Sequence, residues 1–321
     1  MPVGNVDFDQ IAATTLQEYT NSLVNNIFEE QVFMFLMSQG TGDRSGLRFW
    51  NGGRSMVQPL IYGKNTTVGT YRGYDTLNTT PQDGISAAEF PVRQMAGTVT
   101  IDGYSTAVNS GPQEVVDLLE AKMMQLRESF VEEINRQMVL SDGTGNTNKD
   151  WMGLALLVGN DTRSPVCGGI DAADPLNPWW RSGIVAHNAA LTLQILRTTF
   201  NNVSNGSDQP DFALTTQTLH ERYEGLLQPQ QQFRDEQVAN AGFTNLLYKD
   251  RPVVYDDFVP TGEWYWINKR YMKLRPHQST WMRAGQFIEP PSQDARVAKV
   301  LAYGNMVISN RARQGLITGL T

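Results

Sequence analysis

The chain has 321 residues, of which 40% are hydrophobic and 18% charged, with a formal net charge of −7. That is enough chain for two domains, or one elaborated domain with a substantial core, and the composition excludes a disordered protein. The acidic balance and the lack of a Lys/Arg run argue against a reader of nucleic-acid sequence, and the single cysteine, Cys167, excludes an internal disulfide framework or a cysteine-based zinc cluster.

The first ten residues, MPVGNVDFDQ, have no basic end and no apolar run, so no signal peptide is expected. The densest apolar run, VFMFLM from Val32, is too short to span a bilayer. The chain is read as cytosolic when made, and five N-x-S/T sequons, at Asn65, Asn78, Asn160, Asn202 and Asn205, are read as chance matches.

Phe8 to Ser38 is expected to be a helix broken once, since Ile11, Leu16, Tyr19, Leu23, Ile27 and Phe28 recur at near-helical intervals, with Gly40 and Gly42 as the stop. From Trp50 to Ala88 the helical period disappears. Two β-prone runs, Met56 to Tyr62 and Val68 to Tyr74, are predicted to pair across Gly63–Thr67 as a long hairpin. Too few large apolar residues line it for burial in its own core, and a lone ribbon is marginal in water, so it should lie on a neighbouring element or copy. Phe90 to Tyr104 reads as a strand, with Met95, Val99 and Ile101 on one parity and Gly97 permitting a bend.

The clearest element follows. Ser110 and Gln113 form a capping pair, Pro112 sits in the first turn, and Val115, Leu119, Met123, Leu126, Phe130, Ile134 and Met138 keep helical spacing up to Asp142-Gly143. About 28 residues make a rod of about 42 Å, with Glu132 and Arg136 as an i,i+4 pair. After a linker, SDGTGNTNKD (Ser141 to Asp150), short elements alternate: helix over Val185 to Phe200, strand over Phe212 to Thr216, helix over Gln217 to Leu227, strands over Pro252 to Tyr255 and Glu263 to Asn268. That alternation suits an α/β layer. From Ala295 the chain returns to β, and Gly304-Asn305 reads as a hairpin turn between ARVAKVLAY and MVISNR.

One stretch stands apart, CGGIDAADPLNPWWRSG from Cys167 to Gly183, where Trp179 and Trp180 occupy a loop. Taken alone it leaves a cofactor site, a sugar platform or an assembly contact open. The search for chemistry finds nothing that looks like catalysis. His187, His220 and His277 are scattered without metal-ligand spacing. Cys167 has no histidine partner, which favours an inert buried thiol. GTGDRSG (Gly40 to Gly46) and GTGN (Gly143 to Asn146) both miss the dinucleotide fingerprint. Asp256-Asp257 would point to opposite faces of a strand, and Glu128, Glu132 and Glu133 read as a solvated or interface face. No enzyme and no cofactor are expected. An arm, an unsupported hairpin, a long helix and a returning β segment instead suggest a subunit of an assembly.

Residue by residue the chain resembles the tailed-bacteriophage major capsid proteins of the HK97-type fold. The resemblance rests on FDQIAATTLQEYTNSLVNNIFE, GGRSMVQPLIYGKN, QMAGTVTIDGY, SGPQEVVDLLEAKM, the Gly-Gly-Ile-Asp…Trp-Trp-Arg landmark and AKVLAYGNMVISNRARQGLITG, in that order. It implies an α+β fold with an N-terminal arm (1–49) reaching to a neighbour and an extended hairpin loop (50–88) lying over one. A peripheral domain (89–144 and 286–321) would hold the spine helix, and an inserted α/β axial domain (145–285) would cluster at pentamer and hexamer centres. It also implies an icosahedral shell around packaged dsDNA, bound without sequence preference, with a scaffolding protein, a portal and a decoration protein as partners. Assembly in the cytoplasm of a bacterial host and residence in the virion follow. The arm starting near Met1 favours a separate scaffolding protein. Arg54, Lys64 and Arg72 on the hairpin, with Trp179 and Trp180, are the candidate interface residues. Lys64, the hairpin's one lysine, could serve a Lys–Asn cross-link, although no partner asparagine can be matched. An encapsulin-like compartment of the same fold is the alternative, and a tryptophan-platform glycosidase a third reading, without a convincing carboxylate pair.

Overall fold

The computed structural model describes residues 31–40, 42–108, 118–227, 246–285, 287–291 and 293–321. In chain order the helices are α1 (Val32–Ser38), α2 (Gly103–Val108), α3 (Leu118–Leu140), α4 (Leu154–Leu157), α5 (Leu193–Val203) and α6 (Gln217–Leu227). The first strands are β1 (Ser55–Ile61), β2 (Ile85–Pro91), β3 (Arg93–Asp102), β4 (Val166–Cys167), β5 (Ile170–Asp171), β6 (Gly183–Ala186) and β7 (Phe212–Thr215). Then come β8 (Leu246–Tyr248), β9 (Arg251–Tyr255), β10 (Trp264–Ile267), β11 (Met272–Pro276), β12 (Arg283–Ala284), β13 (Ala295–Ile308) and β14 (Gly315–Thr318). No helix among the described residues is long and apolar enough to cross a membrane.

The periodicity places α3 correctly, and Phe130, Ile134 and Met138 are buried along it as expected. Its predicted cap, at Ser110 to Gln113, lies outside the described residues. The ion pair differs from expectation: Arg136 binds Glu133, one turn back at 2.6 Å, and Glu133 also accepts from Gln137. Two donors converge on Glu133, and the Arg136 guanidinium holds that carboxyl below its usual range. The helix crosses β3 at Gly97, where a Cβ would stand 2.6 Å from Leu126 Cδ1. Gly97 therefore serves close approach, not the predicted bend.

β13 is one unbroken 14-residue strand, which overturns the Gly304-Asn305 turn. Its Ala295–Gly304 half pairs antiparallel with β3, while Gly304–Ile308 pairs with β11 and Val300–Leu301 with β12. Gly304 pairs on both edges at once, and a Cβ there would meet Arg275 O at 2.8 Å. Asn305 is fully buried; its amide donates to Pro91 O and its oxygen accepts from Met152 N and Met306 N. The pair that looks like a turn is thus a tight strand crossing followed by a polar staple.

The second sheet has six strands in the order β6-β14-β10-β7-β9-β8, with β6/β14 and β7/β9 parallel. β10 (WYWI) is buried on both faces: Trp264 and Trp266 pack under α5 and α6 with Leu196, Phe200 and Tyr223, while Tyr265 and Ile267 face the core around α3. β7, α6, β9 and β10 match the sequence reading. The expected helix from Val185 does not begin until Leu193, because Gly183–Ala186 is taken as the edge strand β6 beside β14. β14 itself lies in this sheet, and β11 and β12 lie in the other, so the chain passes between the two sheets near residues 268–272 and again near 309–314.

Of the expected arm, residues 31–40 and 42–49 are described, and they include segments that pack on their own chain. Phe33 and Met37 of α1 are fully buried, with the Phe33 ring 6.2 Å from that of Phe212. Lys269 Nζ donates to Leu36 O and Gln39 O, capping the α1 C-terminus with a positive charge. Arg48 N and Trp50 N donate to Leu274 O and Pro276 O along the β11 edge. The expected helix over Phe8 to Glu30 lies outside the described residues.

Candidate assembly surfaces

The hairpin forms, but with a different second strand. β1 pairs with β2 from Ser55↔Pro91 to Ile61↔Ile85, not with Val68–Tyr74, and residues 62–84 make a long connection closed by Tyr62 N and Gly63 N on Gly84 O. Side chains alternate across the ribbon. On one face Met56, Leu60, Ala88 and Phe90 are buried in the main core, so the root of the ribbon is held by its own chain. On the other face Val57, Ile61 and Ile85 stand in solvent, with Ile61 84% and Ile85 78% exposed. Val68, Tyr71, Tyr74 and Leu77 in the connection are exposed too.

The connection has local order of its own. Asn65 and Asn78 each accept from the backbone two residues on, Arg72 N donates to Asp75, and Thr66 Oγ1 donates to Gln82 Oε1 across the loop at 2.7 Å. Arg54, Lys64 and Arg72 are exposed, and among the described residues none of the three forms an ion pair.

Trp179 and Trp180 are brought to the ribbon's root. Trp180 is buried and donates through Nε1 to Cys167 O at 3.0 Å. Trp179 is partly buried and stacks on Tyr62, ring centroids 5.0 Å apart and planes 15° apart. Between them, Gly168 O accepts from Glu89 N of β2. Gly168 has φ +61°, and a Cβ there would meet that of Ala88 at 2.7 Å, so this position is closed to a side chain; Gly169 has open space around it and is set by its φ of +78°. The tryptophan loop is held further by Arg181, which donates to Ala172 O and pairs with Asp161 at 3.2 Å. The tryptophan loop thus meets, through Trp179, the hairpin carrying Arg54, Lys64 and Arg72, which the sequence left as a separate feature. Tyr62, Ile61 and Ile85 were missed; β1 parity would have flagged Ile61 once β2 was known to be its partner.

The remaining titratable groups do not converge. Among the described residues no three of His, Cys, Asp and Glu gather as metal ligands. Burial pushes the Cys167 thiol up to about 11, which leaves it inert at neutral pH. Asp256 is buried and Asp257 exposed, but both lie in the turn after β9 and not on the strand expected for them.

No family model matches the chain, and no curated protein does. Solved structures do. The cyanophage A-1(L) capsid asymmetric unit aligns with a TM-score of 0.70 at 16% identity, covering 95% of this chain and 97% of that one. The capsid of an empty GTA particle aligns with a TM-score of 0.64 at 10% identity, over 95% and 96%. The SrpI encapsulin of Synechococcus elongatus PCC 7942 aligns with a TM-score of 0.62 at 12% identity, over 100% and 96%.

Proposed function

We propose, from the phage capsid-type fold that this chain has, that it is the major capsid protein of a tailed phage, self-assembling as pentamers and hexamers of an icosahedral shell around dsDNA. The observation that carries this reading is the ribbon β1–β2, one face in the core and the other apolar and in water. An isolated subunit gains nothing from Val57, Ile61 and Ile85 in solvent, whereas a second copy covering them would bury apolar area at about 25 cal/mol per Å². The connection 62–84 is rich in Gly, Thr, Asn and Tyr, which suits an adaptable contact of low charge.

In this reading the ribbon and connection are the extended loop, α3 is the spine helix, the six-stranded sheet with α5 and α6 belongs to the axial domain, and residues 1–49 are the arm. Arg54, Lys64 and Arg72 would meet acidic groups of the neighbouring copy. Each contact is modest, and closure of the shell multiplies it. The virion would be its location after assembly in the host cytoplasm, with a scaffolding protein, a portal and a decoration protein as partners. The net charge of −7 keeps packaged DNA from adhering tightly to the wall.

A second reading, an encapsulin-like compartment, is favoured by the alignment to the SrpI encapsulin over the whole of this chain. Electron microscopy of the purified protein, with light scattering, tests both. Closed shells, or pentamers and hexamers, support a shell subunit, and recovery of a cargo protein without a phage genome would favour the compartment. A monomer under every condition, with candidate scaffold added, would contradict both.

A further inference from the structure

The ribbon leaves the body in steps. Its buried contacts end at Leu60 and Ala88, and Tyr62 is the next ring outward. Tyr62 meets Trp179, and beyond it residues 64–83 are exposed almost without break. The Tyr62–Trp179 stack is therefore the outermost support of a projecting lever. Its platform is stiff: Trp179 packs on buried Trp180 at 5.5 Å, Trp180 is bonded to Cys167 O, and Asn177 and Arg181 tie the loop to Asp171 O and Ala172 O.

We infer that Trp179 is a positioning residue for the ribbon, an intrachain buttress that fixes the direction in which the 62–84 connection is presented before it meets a second copy. This deepens the shell-subunit reading and rests on it. Without the stack the fulcrum retreats to Leu60, two residues inward and about 7 Å along the strand. The tip beyond then sweeps a wider arc, so fewer subunits present it in the binding direction at any moment. Trp179 was a candidate for packing against its own fold or a neighbour; the stack on Tyr62 of the same chain favours the first.

The test uses the full chain in four forms: wild type, Trp179→Ala, Trp179→Phe and Tyr62→Ala. Hydrogen exchange of the Tyr62 and Gly63 amides, both bonded to Gly84 O, reads the buttress in unassembled protein, and light scattering reads the concentration needed for assembly. Loss of an aromatic stack should speed exchange at these two amides about 3- to 10-fold in both alanine variants, with Trp179→Phe close to wild type. The assembly concentration should rise in the same two variants and recover in Trp179→Phe. Tyr62→Ala removes the stack from the exposed side, so it keeps the test open if Trp179→Ala misfolds.

Unchanged exchange together with unchanged assembly would overturn the inference. So would an assembly defect in Trp179→Ala with unchanged exchange, which would make Trp179 a contact to the neighbour. If wild type itself never assembles, the shell-subunit reading fails, while exchange at Tyr62 and Gly63 still decides the buttress.

Discussion

Asn135 Nδ2 donates to Asp256 Oδ2 at 2.8 Å, both side chains buried and 121 residues apart. Asp256 also accepts from the backbone N–H of Phe33 and Phe258, and Asn135 Oδ1 accepts from Met34 N at 3.3 Å. The first-turn donors of α1 are thus served by side chains of α3 and of the turn after β9. A helix of seven residues could not hold its ends without such partners. The node ties the segment entering the fold to the long helix and to the six-stranded sheet.

Burial pushes the Asp256 carboxyl above its usual range, outweighing the donors from Asn135, Phe258 and Phe33, with neighbouring Asp257 adding to the rise. A folded-state value above the unfolded one means that this group favours folding most at low pH. That contribution is lost as pH rises from the ordinary carboxylate value through the raised one. Asp256→Asn should remove this part of the pH dependence, and because the amide's single oxygen cannot serve the donors on both carboxylate oxygens it should also cost about 1–3 kcal/mol. Asp256→Ala, which strands buried donors, should cost about 2–4 kcal/mol. Urea unfolding between pH 4 and 8 checks both, and an unchanged slope in Asp256→Asn would contradict the assignment.

At Asn305 two readings predict opposite results. In a Gly-Asn turn, Asn305→Gly would be nearly neutral. As a buried staple for Pro91 O, Met152 N and Met306 N, its loss should cost about 2–3 kcal/mol, in Asn305→Gly and Asn305→Ala alike. Thermal unfolding of the two variants distinguishes them.

Arg311 is fully buried and meets no carboxylate among the described residues; its guanidinium donates to Leu156 O, Leu157 O, Ser164 O and Pro165 O. It caps the end of α4 and closes the loop that leads to the tryptophans. Arg311→Met should cost about 3 kcal/mol or more by stranding several carbonyls. Arg311→Lys should recover only part of that, since one ammonium cannot span the same fork. Equal stability of Arg311→Met and wild type in urea would contradict this role.

What the sequence makes legible follows from where one period dominates. The spacing from Leu126 to Met138 reads as a helix and Glu263 to Asn268 as a strand, while the burial of WYWI on both faces emerges only in the structure. Strand partners were less legible. Val68–Tyr74 looks as β-prone as Ile85–Pro91, and only the fit of Ala88 and Phe90 over Gly168, 80 and 78 residues further on, selects β2. Gly97, Gly168 and Gly304 show the same limit: each is a glycine for close approach, and local sequence cannot tell that from a bend. The paired tryptophans were visible as unusual, but their partner Tyr62 lies in another segment and carries no local signal.

The most direct test of the central claim is sedimentation velocity with negative-stain microscopy on wild type and on the double variant Ile61→Glu/Ile85→Glu. Both positions are exposed in the single chain, so the variant should melt within about 2 °C of wild type. The account predicts shells, or pentamers and hexamers, for wild type and a folded monomer for the variant. Wild type that stays monomeric even with scaffold added, or a double variant that assembles as wild type does, would contradict it.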